Sequence, residues 1–186
     1  MAAPANKTNK DLNGKWLMNR TLSDSADAGF VLQGIGYLTR TAIGFATVTI
    51  DVSQYDAPPK APSTAEGTFV HIDIEQSASG LTSTKELRCL DDVPRNHSDW
   101  IFGAVQGQSR WVALDDVDDE YLKTGWDAVE GKGLILSHVV SQGNGWTATQ
   151  VWGFQTVHGE RRYCRNILVQ NGGERAEFRL VYDFLE

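Results

Sequence analysis

From Thr47 onward the apolar residues of this chain stop recurring every three or four positions and begin to alternate, and no long helical repeat returns before the C-terminus. A chain that alternates over most of its length must pair its strands with one another, because no run of helices is present to cover a parallel sheet. Ahead of that change lies Asn13-Gly14-Lys15-Trp16-Leu17-Met18, an opening strand, and then Leu22 to Ala46, which carries two helical stripes. Ser23 and Asp24 are N-cap types placed before Ala26, Ala28, Phe30, Val31 and Leu32, and Gly34 and Gly36 end that stripe. Tyr37, Leu38, Thr41, Ala42 and Phe45 form the second. One strand, two short helices and then strands alone predict a barrel with a helical lid over a cavity for a small apolar molecule. The other reading of the same pattern is a sandwich core plugged at one end by the helices.

Strand candidates follow between turn signals: Thr68 to Gln76, Thr82 to Leu90, Trp100 to Val105, Ser109 to Leu114, Leu134 to Gln142, Gly145 to Phe154, Arg161 to Gln170 and Ala176 to Phe184. With the strands flanking the helices they make about ten, an all-β, single up-and-down antiparallel barrel with a short helix-turn-helix after the first strand. Two segments interrupt the series. Asp56 to Gly67 holds Pro58, Pro59 and Pro62 and reads as an exposed loop, since proline cannot donate to a ladder. Asp115 to Gly133 opens on an acidic run and then spaces Tyr121, Leu122, Trp126 and Val129 as a short amphipathic helix beside the barrel mouth. The acidic run lacks the alternating ligands, central glycine and terminal glutamate of a calcium loop.

At 186 residues the chain suits one domain: a disordered tail over 1–11 and a barrel over 12–186. Met1 to Asp11 has no apolar run that would make a signal peptide, and no window reaches the ~20 apolar residues of a membrane span. A formal charge of −7 argues against nucleic acid or an anionic membrane as partner. Two cysteines, Cys89 and Cys164, make no disulfide framework, which points to a reduced, cytoplasmic protein, monomeric or weakly dimeric. Without an export signal the sequons at Asn6, Asn19 and Asn96 are chance.

Alternation also nominates a ligand wall. Trp146, Ala148, Gln150, Trp152 and Phe154 share one strand face; Arg161, Tyr163, Arg165 and Ile167 share another, and both mix polar groups with rings. Six tryptophans, five tyrosines and seven phenylalanines suit a lined interior, although core packing accounts for many of them equally. His71 and Asp73 alternate on one face and make either a donor and acceptor pair inside a cavity or a solvated exterior. His97, His138, His158 and the cysteines have no metal-ligand spacing, and neither a phosphate loop nor a Gly-x-Ser-x-Gly elbow occurs, so neither a metal nor another cofactor is implied.

Gly14-Lys15-Trp16-Leu17-Met18, the helix pair from Leu32-Gln33-Gly34-Ile35-Gly36 to Leu38-Thr39-Arg40-Thr41-Ala42-Ile43, and Arg179-Leu180-Val181-Tyr182 resemble the intracellular fatty-acid-binding proteins and, more loosely, the calycins. Gln150-Val151-Trp152 and Arg165 fall where that family has a glutamine-lysine-tryptophan run and an inward arginine. The chain also resembles small lipocalin-like proteins of filamentous fungi, a likeness that implies cyclase chemistry on natural-product intermediates. It departs from the fatty-acid-binding pattern at the carboxylate clamp, an Arg-x-Tyr pair there and a three-residue spacing from Arg179 to Tyr182 here, which turns the two side chains to opposite faces. Two functions remain. One is a cofactor-independent cyclase or isomerase of pericyclic, Diels-Alder type, with Gln150, Arg165 and Tyr182 as donors to a substrate carbonyl and Trp111, Trp146, Trp152, Tyr163, Phe30, His71 and Asp73 shaping the substrate site. The other is a non-catalytic carrier of a lipid or other hydrophobic small molecule.

Overall fold

The computed structural model describes residues 1–79, 82–129, 131 and 133–186. Ten antiparallel strands form one sheet that curls into a nearly closed barrel: β1 (Gly14–Met18), β2 (Val48–Ala57), β3 (Phe69–Ala78), β4 (Thr82–Cys89), β5 (Arg95–Asp99), β6 (Gly103–Val112), β7 (Leu134–Ser141), β8 (Thr147–Val157), β9 (Glu160–Asn171) and β10 (Glu174–Phe184). Helices α1 (Asp27–Leu32) and α2 (Tyr37–Phe45) follow β1, where the helical stripes placed them. Around the sheet the order is β4-β3-β2-β1-β10-β9-β8-β7-β6-β5, so β4 and β5 are its two edges, with an unpaired seam and no ladder between them.

Alternation sorts the side chains. Trp16 stands opposite Phe184 and Ile50 in the ladder, Tyr163 opposite Phe154 and Tyr182, and Trp152 opposite Arg165 and Ile135. All of these point inward and fill the half of the barrel from which β1 starts, where the Trp16 ring lies 4.8 Å from Phe184 and 5.3 Å from Tyr163. At the other end α1 settles on β9 and β10. It approaches so closely that a Cβ on Gly29 would stand 2.6 Å from the Phe178 ring, which is why glycine occupies that position.

Four expectations change in detail. The segment expected to be a tail, residues 1–11, lies against the barrel's filled end: Ala3 is buried with its N–H on the Arg161 carbonyl, and the Asn9 amide donates to the Gly133 and Trp152 carbonyls. Buried Leu12 follows, so the stretch caps an interior that would otherwise face water. Ser23 and Asp24 do not cap α1. Their side chains accept the N–H groups of Val181 and Arg179, completing the edge of β10 where β1 has ended. Trp100 lies in the turn between β5 and β6, because the Asp99 carboxylate accepts both the Ile101 and Phe102 N–H groups and closes an Asx turn; the strand runs on from Gly103 instead. Finally, the described residues of Asp115 to Gly133, which exclude 130 and 132, follow a 3-10 turn at Leu114–Asp116 with further turns rather than an amphipathic helix. Val117, Leu122 and Trp126 cover the outer faces of β7, β8 and β9 at Leu134, Val151 and Leu168, away from the mouth. Helical spacing there reported a hydrophobic surface to be covered, and turns cover it as well as a helix does.

The proline loop is also more than an exposed connection. It crosses the β4–β5 seam, where the Arg95 guanidinium donates to the Lys60 and Ala61 carbonyls at 2.8 and 3.3 Å while pairing with Asp91 at 2.6 Å.

Candidate functional site

A cavity of about 840 Å³ occupies the part of the interior that the aromatic packing leaves open. Its walls are apolar at the helical end, where Gln33, just past the end of α1, joins Ile101, Phe102, Val105, Val139 and Trp146 in the lining. Towards the filled end the lining changes to Glu86, Arg88, Ser109 and Gln150. Strand geometry sets these apart: Trp146 and Gln150 face the same way four residues apart, a span of about 14 Å at ~3.4 Å per residue.

The polar floor is built by register. Ser109 of β6 and Ser137 of β7 are directly opposite each other, as are Ser137 and Gln150 of β8. From the far side of the seam, Arg88 of β4 reaches the same point: its Nη1 donates to the hydroxyls of Ser137 and Ser109, and its Nε and Nη2 donate to Glu86 at 3.2 and 2.8 Å. Its guanidinium sits 5.0 Å from the Trp152 ring centroid. Beneath lies Arg165, 4% exposed, 4.1 Å from the same ring, with Nε donating to the Tyr163 hydroxyl at 3.0 Å. Among the described residues its Nη2 has no hydrogen-bond partner.

Charge and burial shape the titration of this cluster. Burial pushes the Glu86 carboxyl up, but the Arg88 and Arg165 guanidiniums outweigh it and hold the group below the ordinary carboxylate range. Burial pushes the Tyr163 phenol up to about 12 against the pull of Arg165, and raises Tyr182 likewise. Burial works against the charge on Arg165 as well, but Tyr163, Tyr182 and Glu86 together raise it above its ordinary value. At neutral pH the cluster therefore holds two guanidiniums, one carboxylate and two neutral phenols.

Of the residues nominated from sequence as catalytic, Gln150 lines the cavity, whereas Arg165 and Tyr182 lie below it in the aromatic packing. Trp146 lines the cavity, Phe30 is not in the lining but its ring lies 6.4 Å from that of the lining residue Phe102, and Trp111, Trp152 and Tyr163 belong to the filled half. Asp73 is not in the interior: it faces outward on β3 and accepts the Tyr55 hydroxyl. His71 belongs to the same strand face as Asp73 but lines the cavity on its proline-loop side, buried and stacked on Tyr55 at 5.3 Å with its Nε2 3.1 Å from the Pro58 carbonyl oxygen. Arg179 points outward to Gln155, so it forms no clamp with Tyr182. Glu86, Arg88, Ser109 and Ser137 were missed. In β4 the polar set Thr84, Glu86 and Arg88 faces in while Leu87 is 60% exposed, the reverse of what polarity suggests. Ser137 in the apolar run Leu134 to Val140 was the one legible sign.

A nearly closed ten-stranded antiparallel barrel with two short helices after its first strand and an apolar chamber inside is the fold of this chain. Among solved structures it is similar to human cRBP IV, with a TM-score of 0.51 at 11% identity over 94% of this chain and 98% of that one. It is also similar to the fluorescent protein UnaG, with a TM-score of 0.55 at 11% identity over 94% and 97%. These likenesses show the fold. No protein-family model matches the chain. Among curated proteins it is 32% identical to the probable pericyclase scpY of Mollisia scopiformis, over 99% of this chain and 95% of that protein. It is 29% identical to the pericyclase pydY of an Acremonium species, over 100% and 97%. The chain belongs to the family that includes these two proteins.

Proposed function

We propose that this protein is a pericyclase that encloses a hydrophobic natural-product intermediate in its barrel and closes a ring by a Diels-Alder-type reaction. The observation that carries this reading is a chamber with apolar walls and a hydrogen-bonding floor, in a chain akin over its full length to two proteins named pericyclases. In such a cycloaddition σ bonds form at the expense of π bonds within one cyclic transition state, and no proton, electron pair or leaving group is passed to the protein. The protein's task is then conformational and electrostatic. Walls made by Phe102, Val105, Val139 and Trp146 hold a flexible polyene in the folded, reactive conformer, which removes entropy from the barrier before the reaction begins. A donor on the floor, Gln150 foremost, bonds to the carbonyl that activates the alkene and draws electron density from it, a contribution of roughly 3 kcal/mol when water is excluded. Gln150 is held for this, because its Oε1 accepts the Trp152 indole N–H at 2.9 Å, leaving the amide NH₂ as the free end. Arg165 and Tyr182 support the floor from below.

The partner is thus a hydrophobic small molecule; no helix among the described residues is long and apolar enough to cross a membrane. We place the protein in the cytoplasm as a monomer or weak dimer without nucleic-acid partners, on the strength of its two free cysteines and its charge of −7.

The test is to incubate the purified protein with a linear polyene tethered to a carbonyl-activated alkene and to follow the products by chiral chromatography and mass spectrometry. The expected result is accelerated ring closure to one stereoisomer. A rate and stereoisomer ratio equal to those in buffer, across a panel of such polyenes that bind, would overturn the reading and leave a carrier. Gln150→Ala is expected to lower kcat at least tenfold while KM changes less than threefold, since a group acting in the transition state affects turnover more than binding.

A further inference from the structure

The floor of the cavity offers donors and almost no acceptors. Arg88 has five N–H donors; Ser109, Ser137 and Glu86 take up four of them, leaving one on Nη2. Both serine hydroxyls accept from Arg88, so each keeps its own proton to give. Gln150 has spent its carbonyl on Trp152 and keeps its NH₂. Higher on the same wall, the indole N–H of Trp146 is buried in a residue only 1% exposed and has no partner among the described residues, and neither has the Arg165 Nη2 below. Of the two carboxylates that line the cavity among the described residues, Asp99 lies at the helical end, where it accepts the Ile101 and Phe102 N–H groups, and Glu86 at the floor is held by Arg88. Charge at the floor leans the same way, with the two guanidiniums of Arg88 and Arg165 sharing the single carboxylate of Glu86.

A buried charge left without a counter-charge, and buried donors left without acceptors, are costly states. We propose that the reactant supplies what is missing: an acidic, carbonyl-rich head group, anionic at neutral pH, such as a carboxylate or the enolate of a 1,3-dicarbonyl, docked on Arg88, Ser109 and Gln150. The apolar chain then runs along the walls towards Trp146 and Phe102, which are separated from the floor by about the length of a folded polyene, ~14 Å. Pairing with Arg88 has a chemical consequence beyond binding. It withdraws the negative charge that an enolate would otherwise feed into the conjugated alkene, so the head group can be anionic in solution and still electron-poor in the site. Arg88 is thus a substrate-contacting residue, fixed in position by Glu86 and the two serines. This assignment rests on the cavity being the substrate chamber of the proposed pericyclase.

The whole chain carries a charge of −7 and repels anions at long range, so any preference for an anionic guest must arise locally. Two fluorescent probes of one skeleton isolate that preference: 8-anilinonaphthalene-1-sulfonate, anionic, and N-phenyl-1-naphthylamine, neutral. Wild-type protein is expected to bind the sulfonate at least tenfold more tightly than the amine. Arg88→Gln should bring the two within threefold by weakening the sulfonate alone, and Arg88→Lys, which keeps the charge, should retain part of the preference. Lys60→Gln and Lys85→Gln, at the cavity rim, should leave it unchanged. Equal affinities in the wild type, a preference that survives Arg88→Gln, or one that disappears with the rim lysines would each overturn the proposal. Unchanged amine binding by Arg88→Gln guards against a folding defect, and Ser109→Ala, expected to weaken the sulfonate severalfold, replaces that variant if it does not fold. The two readings fail separately: a probe preference without ring closure of any polyene overturns the pericyclase alone, and ring closure without the preference overturns the head group alone.

Discussion

Gly153 faces outward on β8 against the Trp126 ring, and a Cβ there would lie 2.7 Å from Leu134 Cδ2 and 2.8 Å from Trp126 Cε3. Gly153→Ala is therefore expected to cost about 1–3 kcal/mol through overpacking, read as a lower midpoint in chemical denaturation with fluorescence as the probe. Buried acids set a second expectation. Burial raises the Cys89 thiol to about 11, the Cys164 thiol to about 12 and the Tyr163 phenol to about 12. The unfolded chain releases these protons from about pH 9 or 10 while the folded chain keeps them, so stability is full below pH 9 and declines as pH rises through 12. Denaturation at pH 8, 9.5 and 10.5 should show a fall of a few kcal/mol, and Cys164→Ala should reduce its early part.

The N-terminal segment and the approach to α1 are elements that earn their order from the strands they complete. Deleting residues 1–9 removes the donors to the Gly133 and Trp152 carbonyls and uncovers the Trp16 end of the interior. The truncated protein should unfold at least several degrees lower in a thermal scan, with no change in the cavity's probe preference. Asp24→Ala leaves the Arg179 N–H without its acceptor at 2.8 Å, a loss of about 1 kcal/mol for one hydrogen bond. Amide exchange at Arg179 should quicken while that at Tyr163 stays as it was. Both elements were read incorrectly from sequence for one reason. A polar or short-side-chain stretch next to a strand looks like a cap or a tail, and its real partners lie more than a hundred residues away.

In the molecule as a whole, the sheet is a ring with one unpaired seam, and the proline loop straps that seam through Arg95. Edge strands left open invite pairing with other chains, and here Asp91 and the Lys60 and Ala61 carbonyls hold the strap against the β5 edge. Arg95→Ala should raise hydrogen exchange selectively in residues 60–63 and 91–95 and speed the release of N-phenyl-1-naphthylamine in stopped flow. The filled half of the barrel should remain protected.

Periodicity and turn chemistry were enough to read the barrel and the helix pair, because alternation in 69–78 or 147–157 follows from local backbone geometry. The total of ten strands agrees although the candidates Trp100 to Val105 and Ser109 to Leu114 are one strand, β6, and the polar β5 was not among them. The same alternation put Trp146 and Gln150 on one wall, since one stretch of chain, β8 and the residue before it, carries both. It could not find Arg88, Ser109 and Ser137 as a site: they come from three strands, they meet only when the sheet curls, and β4 turns its charged face inward against its own polarity. Nor could it place Asp73 outside or bury Arg165 beneath the cavity, because which face of a strand is interior is settled by the closure of the ring. Local pattern depends on neighbours in the chain and is legible in it, whereas a buried charge and the donors around it depend on contacts that closure alone creates.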